Sequence, residues 1–405
     1  MDGQHTHAEP FRFSDPRQQR IHDRLSLIGP GPVDFYRAAS SLMALLGTPF
    51  PGLKDAERLR NQVPNNLVTL GYFFDKLTNA AWLQPLRDAH FFQHPPDLLH
   101  DHDEGLVSCP PWPASRYLVR MASVAEAQET VLDIALQIGE TENICVYEDL
   151  AEIALALPAT FGAQLVPQTQ RGLASPYHSL LPQKLGALIS HLAKGGQEGA
   201  ALDLARALLM VLPDPQAEDA SYPLLLEPRA RVDAWRYDRL LQTHMPDLVA
   251  AVGVEALRLA CELLETALVL SRRRRGGDEN DPEDYSADWR PAIEDSSQNQ
   301  LRLYPVKNSL VSAVRNAAEQ LAKADIACVP ALIEILEQRP WYVFQRMALH
   351  LLRRFPQAPT APVLIAEHLT DHRHFEARSL RYEYVLLGRE HFAHLSSDEQ
   401  ATILH

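Results

Sequence analysis

Two histidine-containing segments carry the residue types that bind transition metals. Residues 90–109 read HFFQHPPDLLHDHDEGLVSC, and residues 366–375 read AEHLTDHRHF. A zinc site needs three or four nitrogen, sulfur or oxygen ligands that converge at about 2.0–2.3 Å. The candidate ligands are His90, His94, His100, Asp101, His102, Asp103, Glu104 and Cys109 in the first segment, and His368, His372 and His374 in the second.

The spacing of these histidines matches no zinc finger, and neither segment contains HExxH. The first segment is polar and contains two prolines, which is typical of an exposed loop. The second lies where a helix is predicted to end. We therefore expect surface histidines and no bound metal, and a metal-dependent hydrolase remains the weakest of the alternatives.

Other catalytic signatures are absent from the sequence. The GPGP at residues 29–32 lacks the lysine and the hydroxyl of a phosphate-binding loop, and its prolines cannot donate backbone hydrogen bonds. We interpret it as a helix entry, with Pro32 in the first turn. The chain has no GxSxG, no dinucleotide fingerprint and no convincing Cys-His pair. We therefore expect a protein without catalytic residues and without a cofactor.

A run of four arginines, Arg272 to Arg275, ends one apolar segment and is followed at once by an acidic tract. Cations complement the dipole at the carboxyl end of a helix, so the run has a structural role available to it. The acidic residues neutralise it within about one Debye length, roughly 8–10 Å at physiological salt. The sequence therefore predicts a charged crossing between helices, of which residues 284–295 dock back onto the fold.

Aromatic residues cluster near one proline-rich turn, and we expect most of them at helix crossings in the core. Some of them stand beside arginines, and Trp, Tyr and Arg dominate the energetics of protein interfaces. The candidate partner-binding residues are Trp112, Arg116, Arg120, Trp289 and Arg290.

Composition places the protein among ordinary folded chains. It has 405 residues, of which 46% are hydrophobic, and a formal net charge of -14. That charge repels phosphate backbones on average and disfavours nucleic acid as a partner. The N-terminus lacks the apolar core of a signal peptide, no apolar run is long enough to cross a membrane, and the four cysteines are widely spaced. We expect a cytoplasmic protein without membrane contact.

Apolar residues at steps of three and four predict helices along nearly the whole chain, while strand signals are scarce. Prolines fall at the predicted helix ends or first turns. The predicted helices cover residues 33–46, 66–77, 80–92, 123–138, 144–157, 180–193, 199–212, 235–248, 254–270, 309–323, 329–338, 341–355, 361–370, 375–387 and 397 onward. For the last of these, Ser397 and Gln400 are expected to form a capping box.

Short helices in consecutive pairs, none with a core of its own, are typical of stacked helical repeats. The pairs at residues 124–212 and 329–387 resemble HEAT-type repeats. The segments LSLIGPGPVDFYRAASSLM, AAWLQPLRDAHFF, CPPWPASRYLVRMA and WRPAIEDSSQN resemble parts of large bacterial helical proteins, some from anti-phage defence or signalling systems. The resemblance implies a sensor or scaffold region and transfers no catalytic residue.

The sequence therefore predicts an all-α protein, an irregular HEAT-like α-solenoid of stacked helix pairs. We expect an N-terminal extension (1–31), a helical domain with a proline- and histidine-rich loop (32–122), HEAT-like repeats (123–270), the charged loop (271–300) and C-terminal helix pairs (301–405). The expected function is binding of a protein partner or of another domain of a larger bacterial system. The alternative is nucleic-acid binding, which requires Arg116, Arg120, Arg346, Arg353 and Arg354 to share one face.

Overall fold

A computed structural model of the protein describes residues 32–101, 106–175, 180–215, 227–271, 284, 286–288, 290–295 and 305–404. The N-terminal extension, the arginine run and Trp289 lie outside these residues, as do His102, Asp103 and Glu104. Helices dominate the described chain, which confirms the all-α prediction. None of the described helices combines the length and apolar character that a bilayer crossing requires.

The chain divides into two compact units, Met1–Leu157 and Pro158–His405. The finer division into segments that end at residues 31, 122, 270 and 300 stays a prediction. In the first unit the helices are α1 (Pro32–Leu46), α2 (Leu53–Gln62), α3 (Leu67–Lys76), α4 (Leu83–Asp88), α5 (Pro113–Met121), α6 (Gln128–Leu136) and α7 (Ile144–Ala156). Helix α5 packs against both α3 and α7, and α2 packs against α4.

Aromatic side chains form the centre of the first unit. The rings of Phe73 and Trp82 meet edge to face with their centroids 5.4 Å apart, and Phe74 packs edge to face on Phe73 at 5.5 Å. The hydroxyl of Tyr117, a fully buried residue of α5, donates to the carbonyl of Asn79 at 2.8 Å. Burial raises the pKa of this phenol far above its ordinary value. The expectation that the aromatics belong to the core is therefore confirmed for these residues.

The proline- and histidine-rich segment contains a small hairpin that the sequence analysis did not anticipate. Strand β1 (Leu99–Asp101) pairs antiparallel with β2 (Leu106–Ser108), with Leu99 opposite Ser108. Three-residue strands show too little alternation to be recognised in a sequence, which explains why the segment was interpreted as an irregular loop.

The helices of the second unit are α8 (Ala159–Gly162), α9 (Val166–Arg171), α10 (Leu181–Lys194), α11 (Glu198–Leu208), α12 (Ala234–Val252), α13 (Val254–Leu270), α14 (Pro305–Ala324), α15 (Val329–Glu337), α16 (Tyr342–Arg354), α17 (Ala361–Thr370), α18 (His372–Glu376), α19 (Arg381–His391) and α20 (Ser397–Leu404). The two-residue strands β3 (Val211–Leu212) and β4 (Arg229–Ala230) pair antiparallel. Helices close in sequence pack together: α10 with α11 and α12, α14 with α12 and α13, and α16 with α15 and α19.

Three local predictions in the second unit require correction. Helix α12 continues through Pro246 to Val252, past the predicted end at residue 248. The helix predicted over 375–387 is divided, because α18 ends at Glu376 and α19 begins at Arg381. The last capping box is shifted by one residue: the backbone N–H of Ser396 donates to Glu399 at 2.7 Å, and the N–H of Glu399 donates to the Ser396 hydroxyl. A carboxylate is the stronger acceptor for such a cap, which favours this register over Ser397 with Gln400.

Candidate functional site

A large concave space lies in the first unit, beside the start of α5. Its volume is about 540 Å³, and it is lined by residues from three stretches of the chain, 59–74, 90–99 and 110–114. Apolar side chains make up much of the lining, among them Leu70, Phe74, Phe91 and Trp112. We call this space the aromatic groove. Its volume falls in the range of about 300–1,000 Å³ that is usual for sites that bind small molecules.

The turn that follows α4 brings Phe91 to the groove. His90 has a φ of 61°, in the left-handed region, and its N–H donates to the carbonyl of Arg87. The N–H of Phe91 then donates to the carbonyl of Leu86. These two hydrogen bonds constitute a Schellman motif, which ends a helix by reversing the direction of the chain. Histidine occupies the position where glycine is usual, so the turn is held at some conformational cost.

Asn66 lines the groove from the start of α3. Its Oδ1 accepts hydrogen bonds from the N–H groups of Val68 at 3.0 Å and Thr69 at 2.9 Å, which makes it the N-cap of the helix. These bonds fix which end of the amide faces the helix. The side chain is only 7% exposed, and no acceptor among the described residues contacts its Nδ2.

Asn143, a fully buried residue, joins two edges of the groove. Its Nδ2 donates to the carbonyl of Pro96 at 3.0 Å and to the carbonyl of Pro110 at 2.8 Å. Both prolines line the groove, and they lie on either side of the β1–β2 hairpin. The Oδ1 of the same amide accepts from the N–H of Cys145 and caps α7. One side chain thus fixes the spacing of two groove edges and the start of a helix.

Arginine supplies the positive charge of the groove. The guanidinium carbon of Arg60, an exposed residue near the end of α2, lies 5.4 Å from the centroid of the Phe91 ring. This is a cation–π distance. No carboxylate within the described part of the chain forms an ion pair with Arg60, and the other charged or titratable residues of the lining are His90, His94 and Asp97.

Three of the predicted partner-binding residues lie on α5 or at its start. Trp112 is the N-cap residue of the helix, is 6% exposed and lines the groove. Arg116 is an exposed residue whose guanidinium pairs with Asp149 at 3.0 Å and Glu152 at 3.5 Å on α7. Arg120 donates to the carbonyls of Phe74 and Leu77 at the end of α3. The two arginines therefore support the helix that carries Trp112, and they do not line the groove themselves.

Arg290 lies in the second unit within an internal network. It is buried, and its guanidinium donates to the carbonyl of Ala292, the hydroxyl of Ser312 and the carboxylate of Asp295. Burial lowers the pKa of Arg290, and the nearby charge of Arg315 lowers it further. The described residues between 284 and 295 thus pack onto the helices as the sequence predicted, and Arg290 is part of that packing.

The arginines that the nucleic-acid alternative required are also engaged within the protein. Arg346 is buried and pairs with Glu383, and Arg353 pairs with Glu294 and Glu390. Arg354 is the exposed member of the set on α16. These contacts leave most of the guanidinium groups committed to carboxylates, whereas a phosphate-binding face presents them to solvent.

The described residues of the two histidine segments form no cluster that could hold a metal ion, and His102, Asp103 and Glu104 lie outside the described residues. In the described residues no three His, Cys, Asp or Glu side chains come together as a metal ion requires. His90 and His94 line the groove, and His100 lies on β1. In the second segment the rings of His368 and His374 stack with centroids 5.0 Å apart, and His368 Nε2 lies 3.0 Å from Glu337. The structure therefore gives His368 and His374 packing and hydrogen-bonding contacts.

Sequence analysis found Trp112 but not the residues that shape the groove around it. Asn66 is the first residue of the helix predicted over 66–77, and asparagine at the start of a helix is an N-cap signal. Asn143 and Arg60 carry no comparable signal, because their roles depend on carbonyls and rings that are distant in sequence. No protein-family model, curated protein or solved structure matches this chain, so the assignment of the site depends on its geometry.

Proposed function

We propose that the protein is a binding module without catalytic activity, built as an irregular HEAT-like α-solenoid, and that its aromatic groove docks a protein partner. The observation that carries this proposal is the groove itself: about 540 Å³ of concave space with Phe74, Phe91 and Trp112 in its lining. Large rings in a sheltered concavity are the usual anchors of protein interfaces. In this role the protein is a cytoplasmic scaffold or sensor, and its partner is another protein or another domain of the same bacterial system.

The chemistry of the groove favours binding over catalysis. A general acid–base or nucleophilic mechanism needs titratable side chains in mutual hydrogen-bond contact. His90, His94 and Asp97 line the groove, yet no hydrogen bond joins any two of them in the described structure. The apolar lining instead suits side chains that leave water when they bind.

A photo-crosslinking experiment tests the proposal. Benzoylphenylalanine is incorporated in place of Leu67, which lines the groove, or in place of Leu180, an exposed residue of the second unit. After irradiation of cells that make the protein naturally, we expect a discrete crosslinked partner from position 67 and none from position 180. The same adduct from both positions, or none from position 67 with the protein folded, would contradict the proposal.

A matched pair of substitutions checks that the groove carries the affinity. Leu70 lines the groove, whereas Val68 on the same helix is 62% exposed and does not. Leu70→Gln places a polar amide where an apolar surface is needed, and we expect it to weaken partner binding about tenfold or more. Val68→Gln is expected to leave the affinity unchanged.

A further inference from the structure

The charge and the hydrogen-bond donors of the aromatic groove indicate which partner segment it accepts. The guanidinium of Arg60 stands over the face of Phe91, and no carboxylate among the described residues, including Asp97 of the same lining, lies within ion-pair distance of it. By contrast, Arg58, two residues earlier on the same helix, lies 3.5 Å from Asp55. Arg60 is therefore an exposed cation beside an apolar surface, available to donate a charge-assisted hydrogen bond to a ligand carboxylate.

The cation–π contact with Phe91 also restrains the Arg60 side chain, which remains exposed to a ligand. Less side-chain entropy is then lost when a ligand binds, because part of the ordering is already present in the free protein.

Asn66 adds a neutral donor. Its Oδ1 is occupied by the N–H groups of Val68 and Thr69, so the amide cannot rotate to exchange its oxygen and nitrogen without losing the helix cap. The Nδ2 therefore stays a donor, and it is buried without an acceptor in the described structure. A buried donor left unpaired is costly. The Nδ2 is closed to solvent in the free protein, so a ligand carbonyl reaches it, and removes that cost, only when the groove widens on binding.

Taken together, these features match an extended peptide. Such a segment offers apolar side chains for the lining, a main-chain carbonyl for Asn66 and a carboxylate for Arg60. A free fatty acid would supply the first and the last of these but no amide carbonyl. A nucleic acid would supply bases that stack on aromatic rings, but it carries a phosphate on every nucleotide, and the described residues of the lining offer a single arginine to neutralise them.

We propose that the groove binds a partner segment in which bulky apolar side chains stand next to a carboxylate, with Arg60 holding the carboxylate and Asn66 donating to a main-chain carbonyl. This inference rests on the proposed docking function and adds the chemistry of the docked segment.

Selection from a phage library of random dodecapeptides tests the inference. The full chain is used as wild type, as Arg60→Met and as the control Arg58→Met, each checked for an unchanged thermal unfolding curve. We expect wild type and Arg58→Met to enrich peptides that combine apolar residues with Asp or Glu. Arg60→Met should still enrich apolar peptides, because methionine preserves the contact with Phe91, but the acidic preference should disappear.

Binding of one selected peptide then measures the contact. Replacing the Asp or Glu of the peptide by Asn or Gln should weaken its binding to the wild-type protein about tenfold. The same replacement should change its binding to Arg60→Met by less than about twofold. Asn66→Asp retains the N-cap acceptor while it removes the donor and adds a negative charge. This variant should bind the acidic peptide about tenfold more weakly than wild type, or weaker still.

The possible failures are distinguishable. Apolar peptides enriched without acidic residues would overturn the role of Arg60 and leave the docking function standing. No enrichment by wild type would count against both. Saturable binding of decanoate in the absence of any selected peptide would assign the groove to a free apolar acid and overturn the peptide proposal.

Discussion

Arg346 on α16 and Glu383 on α19 form an ion pair that is almost completely removed from water. Nε of the arginine lies 2.7 Å from Oε2 and Nη2 lies 3.0 Å from Oε1, while the two side chains are 2% and 3% exposed. The remaining polar atoms are also satisfied: Arg346 donates to the carbonyls of Ala287 and Pro291, and the N–H of Ile293 donates to Glu383. The pair thus anchors the 284–295 segment to two helices.

Removing one member of this pair should be severely destabilising. Arg346→Met leaves the Glu383 carboxylate buried without its counter-charge, and we expect the free energy of unfolding to fall by about 3–5 kcal/mol in urea denaturation. The double variant Arg346→Met with Glu383→Leu removes both charges and should be more stable than Arg346→Met alone. Additive losses in the double variant would show that the two groups are not coupled as the geometry indicates.

Asn143 is expected to control the shape of the groove. Asn143→Ser keeps an acceptor that caps α7 but leaves the carbonyls of Pro96 and Pro110 without a donor. We expect a loss of about 2 kcal/mol in unfolding free energy and weaker binding of a groove-selected peptide, measured by fluorescence polarisation.

The matched control for this substitution is Asn79, which has the same two roles elsewhere in the unit. Its Nδ2 donates to the carbonyls of Thr48 and Pro49, and its Oδ1 accepts from the N–H of Ala81. Asn79→Ser should reduce stability without changing peptide affinity. Equal losses of affinity in both variants would indicate a global effect.

Acid should remove the contribution of Glu319 to stability. The hydrogen bond from His350, at 2.9 Å, and a second from Lys323 hold the pKa of this carboxyl at about 2, below its ordinary value of 4.5. Because the folded-state pKa is depressed, the contribution is complete above about pH 4.5 and disappears as the pH falls through about 2.

The comparison of wild type with Glu319→Gln measures this contribution. We expect wild type to be more stable by about 1–2 kcal/mol at pH 6, a figure reduced because solvent reaches the Lys323 side of the pair. The difference should vanish near pH 2 in urea titrations. A difference that persists at pH 2 would mean that the charge of Glu319 is not its source.

Two glycines in the second unit should respond in opposite directions to alanine. A Cβ on Gly186 in α10 would lie 2.6 Å from side-chain atoms of both Leu240 and His244 on α12, whereas nothing lies within 4 Å of a Cβ on Gly199 in α11. Gly186→Ala should lower the free energy of unfolding by about 1–3 kcal/mol, because two packed side chains must move. Gly199→Ala should raise it by up to about 1 kcal/mol through helix propensity. Thermal unfolding monitored by circular dichroism distinguishes the two.

The helices were predicted well where the spacing of apolar residues and the positions of the prolines agreed. The helices predicted over residues 329–338 and 341–355 are observed as Val329–Glu337 and Tyr342–Arg354. The errors have two sources: a proline that the fold tolerates inside a helix, and strands too short to show alternation. Pro246 is accommodated inside α12, and the short strands around the histidine-rich segment carry no readable alternation.

The groove could not be derived from the sequence, because its parts become neighbours only in the fold. Pro96 and Pro110 are brought together by an asparagine more than thirty residues further along the chain. Arg60 contacts the ring of Phe91, which the left-handed turn at His90 brings to the groove. Trp112 was singled out as a candidate by residue type alone, but the cavity that it lines could not be recognised in the sequence.

The buried pairing of Arg346 with Glu383 also constrains how this chain can diverge. Any lineage that replaces one of these side chains must pass through a form with an isolated internal charge, unless the second replacement follows closely. Descendants should therefore retain both residues or exchange both together. Such coordinated substitution would be visible as soon as related genes are compared.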